Sequence, residues 1–135
     1  MLKLIIKNSN FLNILGKKQT KQTVKLTAKD ELFAQLPKDF ELIKKPMEIY
    51  YWFYFKPTES VAKKLQLYDG VGPKLTHPTL TSMIEKVDTA LDGIVIDGTA
   101  NIVRCEGSKF YSEKESEIQI TIFTKTEKTE GSYYE

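Results

Sequence analysis

The sequence predicts one small α/β domain of the α+β type, with a mixed or antiparallel sheet and two principal helices. Apolar residues alternate at every second position in Leu2–Lys7, Met47–Phe55 and Glu117–Lys125, which is the spacing of β-strands. They recur every three or four positions in Ala28–Leu36 and Met83–Leu91, which is helical spacing. A chain of 135 residues, 41% hydrophobic and 28% charged, can bury one core.

The N-terminal part is predicted to contain a strand, a loop and a helix. Leu2–Lys7 is the first strand, and the polar stretch Gly16–Thr23 has no periodicity, so we interpret it as a basic loop. Thr27 is the predicted N-cap of the helix Ala28–Leu36. Pro37 ends that helix because proline cannot continue it.

Met47–Phe55 is the strongest predicted strand, and Pro46 introduces it. Both of its faces carry aromatic residues, so we expect a helix, a loop or a second subunit to cover each face. The alternative is that exposed Tyr50, Trp52 and Tyr54 stack on nucleic-acid bases.

The second principal helix is Met83–Leu91, which carries one apolar stripe. Ser82 as N-cap and Glu85 three residues later have the spacing of a capping box. Gly93 follows the helix as a residue that suits its C-terminal turn.

The remaining chain is predicted to be a connection, three strands and a tail. Pro57–Pro78 is a long connection, and loops of this length are commonly functional. The strands are Ile94–Ile96, Asn101–Glu106 and Glu117–Lys125. The domain is expected to span 1–126 and to be followed by a polar tail over 127–135.

Composition limits the class of protein. Leu2–Ile6 is too short an apolar run to cross a membrane, and it lacks a secretory cleavage site. Cys105 is the sole cysteine, which excludes an internal disulfide framework and favours a cytoplasmic location. We expect its side chain to be a small buried hydrophobe.

The charges indicate how nucleic acid would be recognised. The net charge of +2 is mild, but lysines crowd the first half of the chain. Arg104 is the only arginine, and arginine is the usual reader of guanine edges, so sequence-specific DNA recognition is not expected. The lysines could bind DNA phosphates without reading sequence. The ordinary alternative is that they form a solvated surface.

The region from His77 to Thr124, a little over a third of the chain, resembles the RusA family of Holliday-junction resolvases. In that family a P-D-L-D-N-L motif precedes a helix ending in D-A-L-N-G, and a D-D turn precedes Q-I-V. A basic and aromatic hairpin follows in the family. The corresponding segments here are Pro78–Met83, Asp88–Gly93, Gly98–Thr99, Asn101–Val103 and Ser108–Phe110.

The resemblance implies a Mg²⁺ site that this chain does not retain. The three family aspartates that bind the metal fall on Thr79, Thr81 and Thr99. Mg²⁺ requires oxygen ligands that include carboxylates, and three neutral hydroxyls supply no negative charge. We therefore expect no metal, no cofactor and no nuclease activity. Asp97 is the acid nearest to the lost turn, and it is the candidate for a rescued site.

An acidic helix face is the other possible source of ligands. Glu85, Asp88 and Asp92 follow helical spacing, nearly opposite the apolar stripe. The ordinary interpretation is a solvated acidic surface.

These observations lead to three functional hypotheses. The first is a degenerate resolvase of phage recombination and repair, homodimeric as in the family, that binds branched DNA without cutting it. The second is a phage or mobile-element protein that reuses the fold to bind and inhibit a host protein. The third is an active Mg²⁺-dependent endonuclease that uses Asp97 and a displaced helix acid. The predicted DNA-binding residues are Lys17, Lys18, Lys21, Lys25, Lys86 and Lys109, around a rim of Thr79, Thr81 and Thr99.

Overall fold

The computed structural model describes residues 1–65, 72–73 and 77–124, and they form an α+β fold as predicted. The strands are β1 (Leu2–Ile6), β2 (Met47–Phe55), β3 (Gly72–Pro73), β4 (Ile102–Tyr111) and β5 (Glu117–Thr124). The helices are α1 (Ser9–Ile14), α2 (Lys21–Ala34), α3 (Glu59–Leu65) and α4 (Leu80–Leu91), with a 3₁₀ turn at Thr99–Asn101. The bounds of β2 are those predicted. Residues 125–135 lie outside the described residues, and they include the whole of the predicted tail over 127–135.

The sheet is mixed, with the strand order β1-β5-β2-β4-β3. β2 and β4 are parallel, and the other neighbouring pairs are antiparallel. A parallel pair needs a long crossover, and α4 lies within the connection from β2 to β4. This arrangement puts the two ends of α4 at opposite ends of the sheet.

One face of the sheet and three helices enclose the hydrophobic core. The buried hydrophobic residues of β2 alternate along the strand and face the helices. α4 crosses β4 closely at Gly107, where an added Cβ would lie 2.8 Å from Cδ1 of Ile84. The largest buried side chains include Leu4, Phe11, Leu32, Ile49, Tyr51, Phe53, Met83 and Leu91.

The N-terminal helices differ from the prediction. α1 was not predicted because it has only six residues, of which Phe11 is the buried one. α2 begins at Lys21, not at Ala28, and Oγ1 of its N-cap Thr20 accepts a hydrogen bond from N of Thr23 at 3.2 Å. Val24 extends the buried stripe one turn towards the N-terminus. The predicted basic loop is therefore partly helix.

α4 also begins earlier than predicted, since Thr79 and not Ser82 is its N-cap. Oγ1 of Thr79 accepts a hydrogen bond from N of Ser82 at 3.3 Å. The helix ends at Leu91, and Gly93 adopts a left-handed φ of 84° in the turn that follows, as predicted.

The segments around α4 correct three further predictions. Ile94–Ile96 is a turn, not a strand, and its three N–H groups donate to the carbonyl of Leu91. β4 is longer than predicted and contains Ser108–Phe110, which we had placed in a hairpin. α3 lies within the predicted connection Pro57–Pro78, and part of that connection lies outside the described residues.

Both faces of β2 were predicted to be covered by a helix, a loop or a second subunit, and the described helices cover one of them. Cover of the other face by a second subunit stays a prediction. None of the described helices packs on the face that carries Tyr50, Trp52 and Tyr54, which are half-buried. Aromatic neighbours on this face shield one another instead. The ring centroids of Tyr50 and Phe123 are 5.6 Å apart, and those of Tyr54 and Phe110 are 5.8 Å apart. We call this surface the aromatic face.

Cys105 is exposed, although we expected it to be buried. It lies in β4 with its neighbours Arg104 and Glu106 also exposed. Among the described residues β3 pairs only with Phe110 and Tyr111, so this part of β4 lies at an edge of the sheet.

Candidate nucleic-acid interface

The N-terminal end of α4 carries exposed hydroxyl side chains. Thr79 and Thr81 are exposed, and Ser82 is half-buried beside them. The first turn of this 12-residue helix carries no acidic side chain in the described structure. The positive end of the helix dipole and the free N–H groups favour an anion at such a terminus.

Lys86 is the best-positioned cation near this end. Its Nζ donates to the carbonyl oxygen of Leu15 at 3.0 Å and to Oγ of Ser82 at 3.4 Å. Leu15 is fully buried and follows α1, so α1 fixes the position of the ammonium group. Two hydrogen bonds leave the third ammonium N–H to reach another acceptor.

Two further lysines share a cavity with Lys86. A groove of about 200 Å³ between α2 and α4 is lined by Lys18 and Lys21 on one side and by Ser82 and Lys86 on the other. The acid among its lining residues is Glu85. We call this cavity the basic groove. It joins three of the six predicted DNA-binding lysines.

The other three predicted lysines lie around this groove at different positions. Nζ of Lys109 donates to the carbonyl oxygen of Pro78 at 3.0 Å, which puts it beside the N-cap of α4. Lys17 is exposed and follows Gly16, where an added Cβ would lie 3.5 Å from Cβ of Pro78. Lys25 lies towards the opposite end of α4, because its Nζ is 3.7 Å from Oδ2 of Asp92.

The structure does not bring the three threonines together in one chain. Thr79 precedes α4, whereas Thr99 follows its other end, where N of Gly98 donates to Oδ1 of Asp92 at 3.0 Å. A helix of 12 residues rises about 18 Å, so Thr99 is remote from Thr79 and Thr81. The expected rim of three hydroxyls is therefore not formed within one chain.

The acidic residues that could bind a metal are also separated from one another. Asp97 is exposed at the Thr99 end, and its N donates to the carbonyl oxygen of Ile43 at 3.0 Å. Glu85 is exposed, while Asp92 pairs with Lys25. Within residues 1–65, 72–73 and 77–124, no three His, Cys, Asp or Glu side chains converge as metal ligands.

Asp88 is not the solvated acid that we expected. It is half-buried, and it accepts a hydrogen bond from the hydroxyl of buried Tyr51. Burial raises the pKa of Asp88 to about 6, although the hydrogen bond from Tyr51 acts in the opposite direction. Burial and the carboxylate of Asp88 raise the pKa of Tyr51 as well. The pair connects α4 to the centre of β2.

The aromatic face carries two acids and one arginine, unlike the lysine-rich basic groove. Glu48 is buried at 4% exposure, and its carboxylate accepts from Tyr50 at 3.3 Å and lies 3.5 Å from Nη1 of Arg104. Arg104 also contacts Glu106 at 2.5 Å. The single arginine thus lies between two acids, Glu48 and Glu106.

No protein-family model, curated protein or solved structure matches this chain. Among the described residues, no helix is long and apolar enough to span a membrane.

The lysines of the basic groove are evident in the sequence, but their arrangement in space is not. The spacing of Ser82 and Lys86 is the one local signal, since residues four apart on a helix are neighbours. The contact from Lys86 to Leu15 joins residues 71 positions apart, and local spacing carries no signal for it.

Proposed function

We propose that this chain is a catalytically degenerate RusA-like domain that binds branched DNA without metal-dependent cleavage. The observation that carries the proposal is the basic groove, which Lys18, Lys21 and Lys86 line between α2 and the stretch of α4 from Ser82 to Thr89. The resemblance of His77–Thr124 to the RusA family adds to it.

Phosphate is the group that this groove suits. Ammonium groups and helix N-terminal N–H groups both bind phosphate oxygens, and neither distinguishes base sequence. Lys86 is held by Leu15 and Ser82 before any ligand arrives, so binding would cost less side-chain entropy there. Recognition of DNA shape rather than sequence is the expected result.

The absence of cleavage is proposed from the residues at the two ends of α4. Thr79 and Thr81 at one end and Thr99 at the other replace the carboxylates that the family resemblance implies. Asp97 is exposed and about 18 Å along α4 from Thr79, so it would not rebuild a ligand cluster there within one chain.

A homodimer would suit the proposed substrate. A four-way junction has two-fold symmetry, and two copies of the chain would offer two basic grooves related by the same symmetry.

The direct test is incubation of the purified protein with a labelled four-way junction in Mg²⁺, in Mn²⁺ or in EDTA. Cleavage and mobility shift are scored together, with a duplex of matched length as the control. The proposal expects a shift that favours the junction and no cleavage in any condition. Metal-dependent symmetric nicks would instead support the active endonuclease, and equal shifts of junction and duplex would refute selectivity.

The aromatic face favours a second candidate function, the binding and inhibition of a host protein. Tyr50, Trp52 and Tyr54 are half-buried there without a described helix above them, and aromatic side chains are enriched in protein interfaces. Salt separates the two candidates. Binding to DNA through lysines weakens steeply as salt rises, whereas an aromatic protein interface loses little affinity.

A further inference from the structure

A second groove, on the outer side of α2, combines lysines with exposed apolar side chains. Its volume is about 540 Å³, and it is lined on α2 by Lys21, Lys25 and Lys29 together with Leu26 and Phe33. Residues three, four and seven positions apart share one face of a helix. Lys21, Lys25, Lys29 and Phe33 are four apart, and Leu26 is three before Lys29, so these side chains form one continuous strip. We call this cavity the α2 groove.

The apolar part of the α2 groove is open to solvent. Leu26 is 61% exposed and Phe33 is 49% exposed, and both belong to the small set of exposed large hydrophobic residues in the described chain. Ile94, in the turn after α4, forms the opposite wall. Apolar side chains gathered in one concave surface are typical of a recognition site, whereas isolated ones are ordinary.

The charges around these apolar residues have mainly one sign. Nζ of Lys29 lies 6.0 Å from the ring centroid of Phe33, in the geometry of a cation–π contact. Asp92 is the acid that lines the groove, and Lys25 pairs with it. Lys21 and Lys29 therefore remain to attract a ligand of negative charge.

We propose that the α2 groove binds an acidic peptide that inserts an apolar side chain between Leu26 and Phe33. The strip from Lys21 to Phe33 rises about 18 Å, which matches five or six residues of extended peptide. Carboxylates of the peptide pair with Lys21 and Lys29, and its apolar residue covers Phe33. Lys21 lines both grooves, whereas Lys29 and Phe33 lie outside the basic groove, so variants at these two positions test the peptide separately from DNA.

The apolar strip distinguishes a peptide from DNA as the ligand. A DNA backbone offers phosphates but no large apolar group to bury against Leu26 and Phe33. An acidic peptide with one phenylalanine satisfies both parts of the groove. Burial of an apolar side chain against Leu26 and Phe33 adds to the affinity, so loss of that contact is measurable.

The test is fluorescence anisotropy with a fluorescein-labelled peptide of eight Asp and Glu residues around one Phe. The expected result is saturable binding that weakens at least tenfold when Phe33 is changed to Gln or Lys29 to Glu. Both positions are exposed on the helix, and circular dichroism checks that each variant is folded. The matched control is Lys38→Glu, which makes the same charge change at an exposed lysine after α2.

Three outcomes would overturn the inference. One is the absence of saturable binding, and another is an equal loss of affinity for Lys38→Glu and Lys29→Glu. The third is equal binding of a peptide in which Ser replaces Phe, which would mean a purely electrostatic surface. Junction binding by the Phe33→Gln variant is measured in parallel and is expected to be unchanged. The two proposals can therefore fail separately.

Discussion

The two ends of α4 differ in charge and in the contacts that fix them. The N-terminal end has Thr79 as its cap and Lys86 and Lys109 bound to nearby carbonyl oxygens. The C-terminal end has Asp92 and Asp97, and its last carbonyl, that of Leu91, accepts from three N–H groups. We call the N-terminal end the open end, because its donors are placed to bind an anion. We call the C-terminal end the closed end, because the turn after it satisfies the last carbonyl of the helix. The resemblance to the RusA family assigns Thr79 and Thr99 to one site, but α4 places them at opposite ends.

The largest expected effect tests the closed end. Leu91→Ala should lower the free energy of unfolding by about 3 kcal/mol, because it removes a fully buried side chain and leaves a cavity. Leu80→Ala, at the half-buried first turn, should cost clearly less. Urea denaturation measures both. Equal losses would mean that the two ends are anchored alike.

The next effect tests the open end. Lys86→Ala should weaken binding to a labelled junction about tenfold, since it removes a positioned phosphate donor. Lys63→Ala, at an exposed lysine of α3, is the matched control and should change affinity less than twofold. Fluorescence anisotropy at fixed salt measures both. A loss of equal size in the two variants would attribute binding to net charge alone.

A smaller effect is expected at the middle of α4, where Asp88 meets Tyr51. The pKa of Asp88 in the folded chain is about 6, above its value of 3.8 in the unfolded chain, so the folded chain retains this proton to higher pH. This contribution to stability is complete below about pH 4 and is lost as the pH rises through about 6. It should amount to on the order of 1 kcal/mol, since solvent reaches the half-buried carboxyl.

Asp88→Asn isolates this contribution. The free energy of unfolding of the variant, relative to the original chain, should rise between pH 4 and pH 7 in urea titrations. Tyr51 can still donate to the amide oxygen of Asn, so its hydrogen bond has a partner in both chains. A difference that is flat with pH, or that falls, would mean that burial does not dominate at Asp88.

The smallest expected effect concerns Asp97. Asp97→Asn should change the affinity for the junction less than twofold and should leave cleavage absent, because its side chain is exposed at the closed end of α4. A loss of metal-dependent nicking in this variant would identify Asp97 as a ligand. It would also mean that Asp97 of one copy of the chain completes a site at the N-terminal end of α4 in a second copy.

The sequence predicted the elements with strong periodicity and missed those without it. β2 alternates over nine residues behind Pro46, and its predicted bounds hold. The start of α2 was misplaced because Lys21–Thr27 contains few apolar residues and several threonines that could cap a helix. The prediction therefore chose Thr27 over Thr20.

The candidate site was predictable in composition but not in geometry. The lysines were visible as a cluster in the sequence, but the contact of Lys86 with Leu15 depends on tertiary structure. Thr79 and Thr99 were assigned to one rim from a motif, although α4 holds them apart. Spacing along the chain does not say where the two ends of α4 lie relative to the sheet. The parallel crossover from β2 to β4 determines their positions.

The most direct test of DNA binding at the open end of α4 is the salt dependence of junction affinity. The slope of log K against log salt should be steep for the original chain, and it should decrease by about 2 in a Lys18→Ala, Lys86→Ala double variant, because each phosphate contact contributes about 0.9. A flat slope for the original chain, or an unchanged slope for the double variant, would contradict the proposal that the basic groove binds DNA.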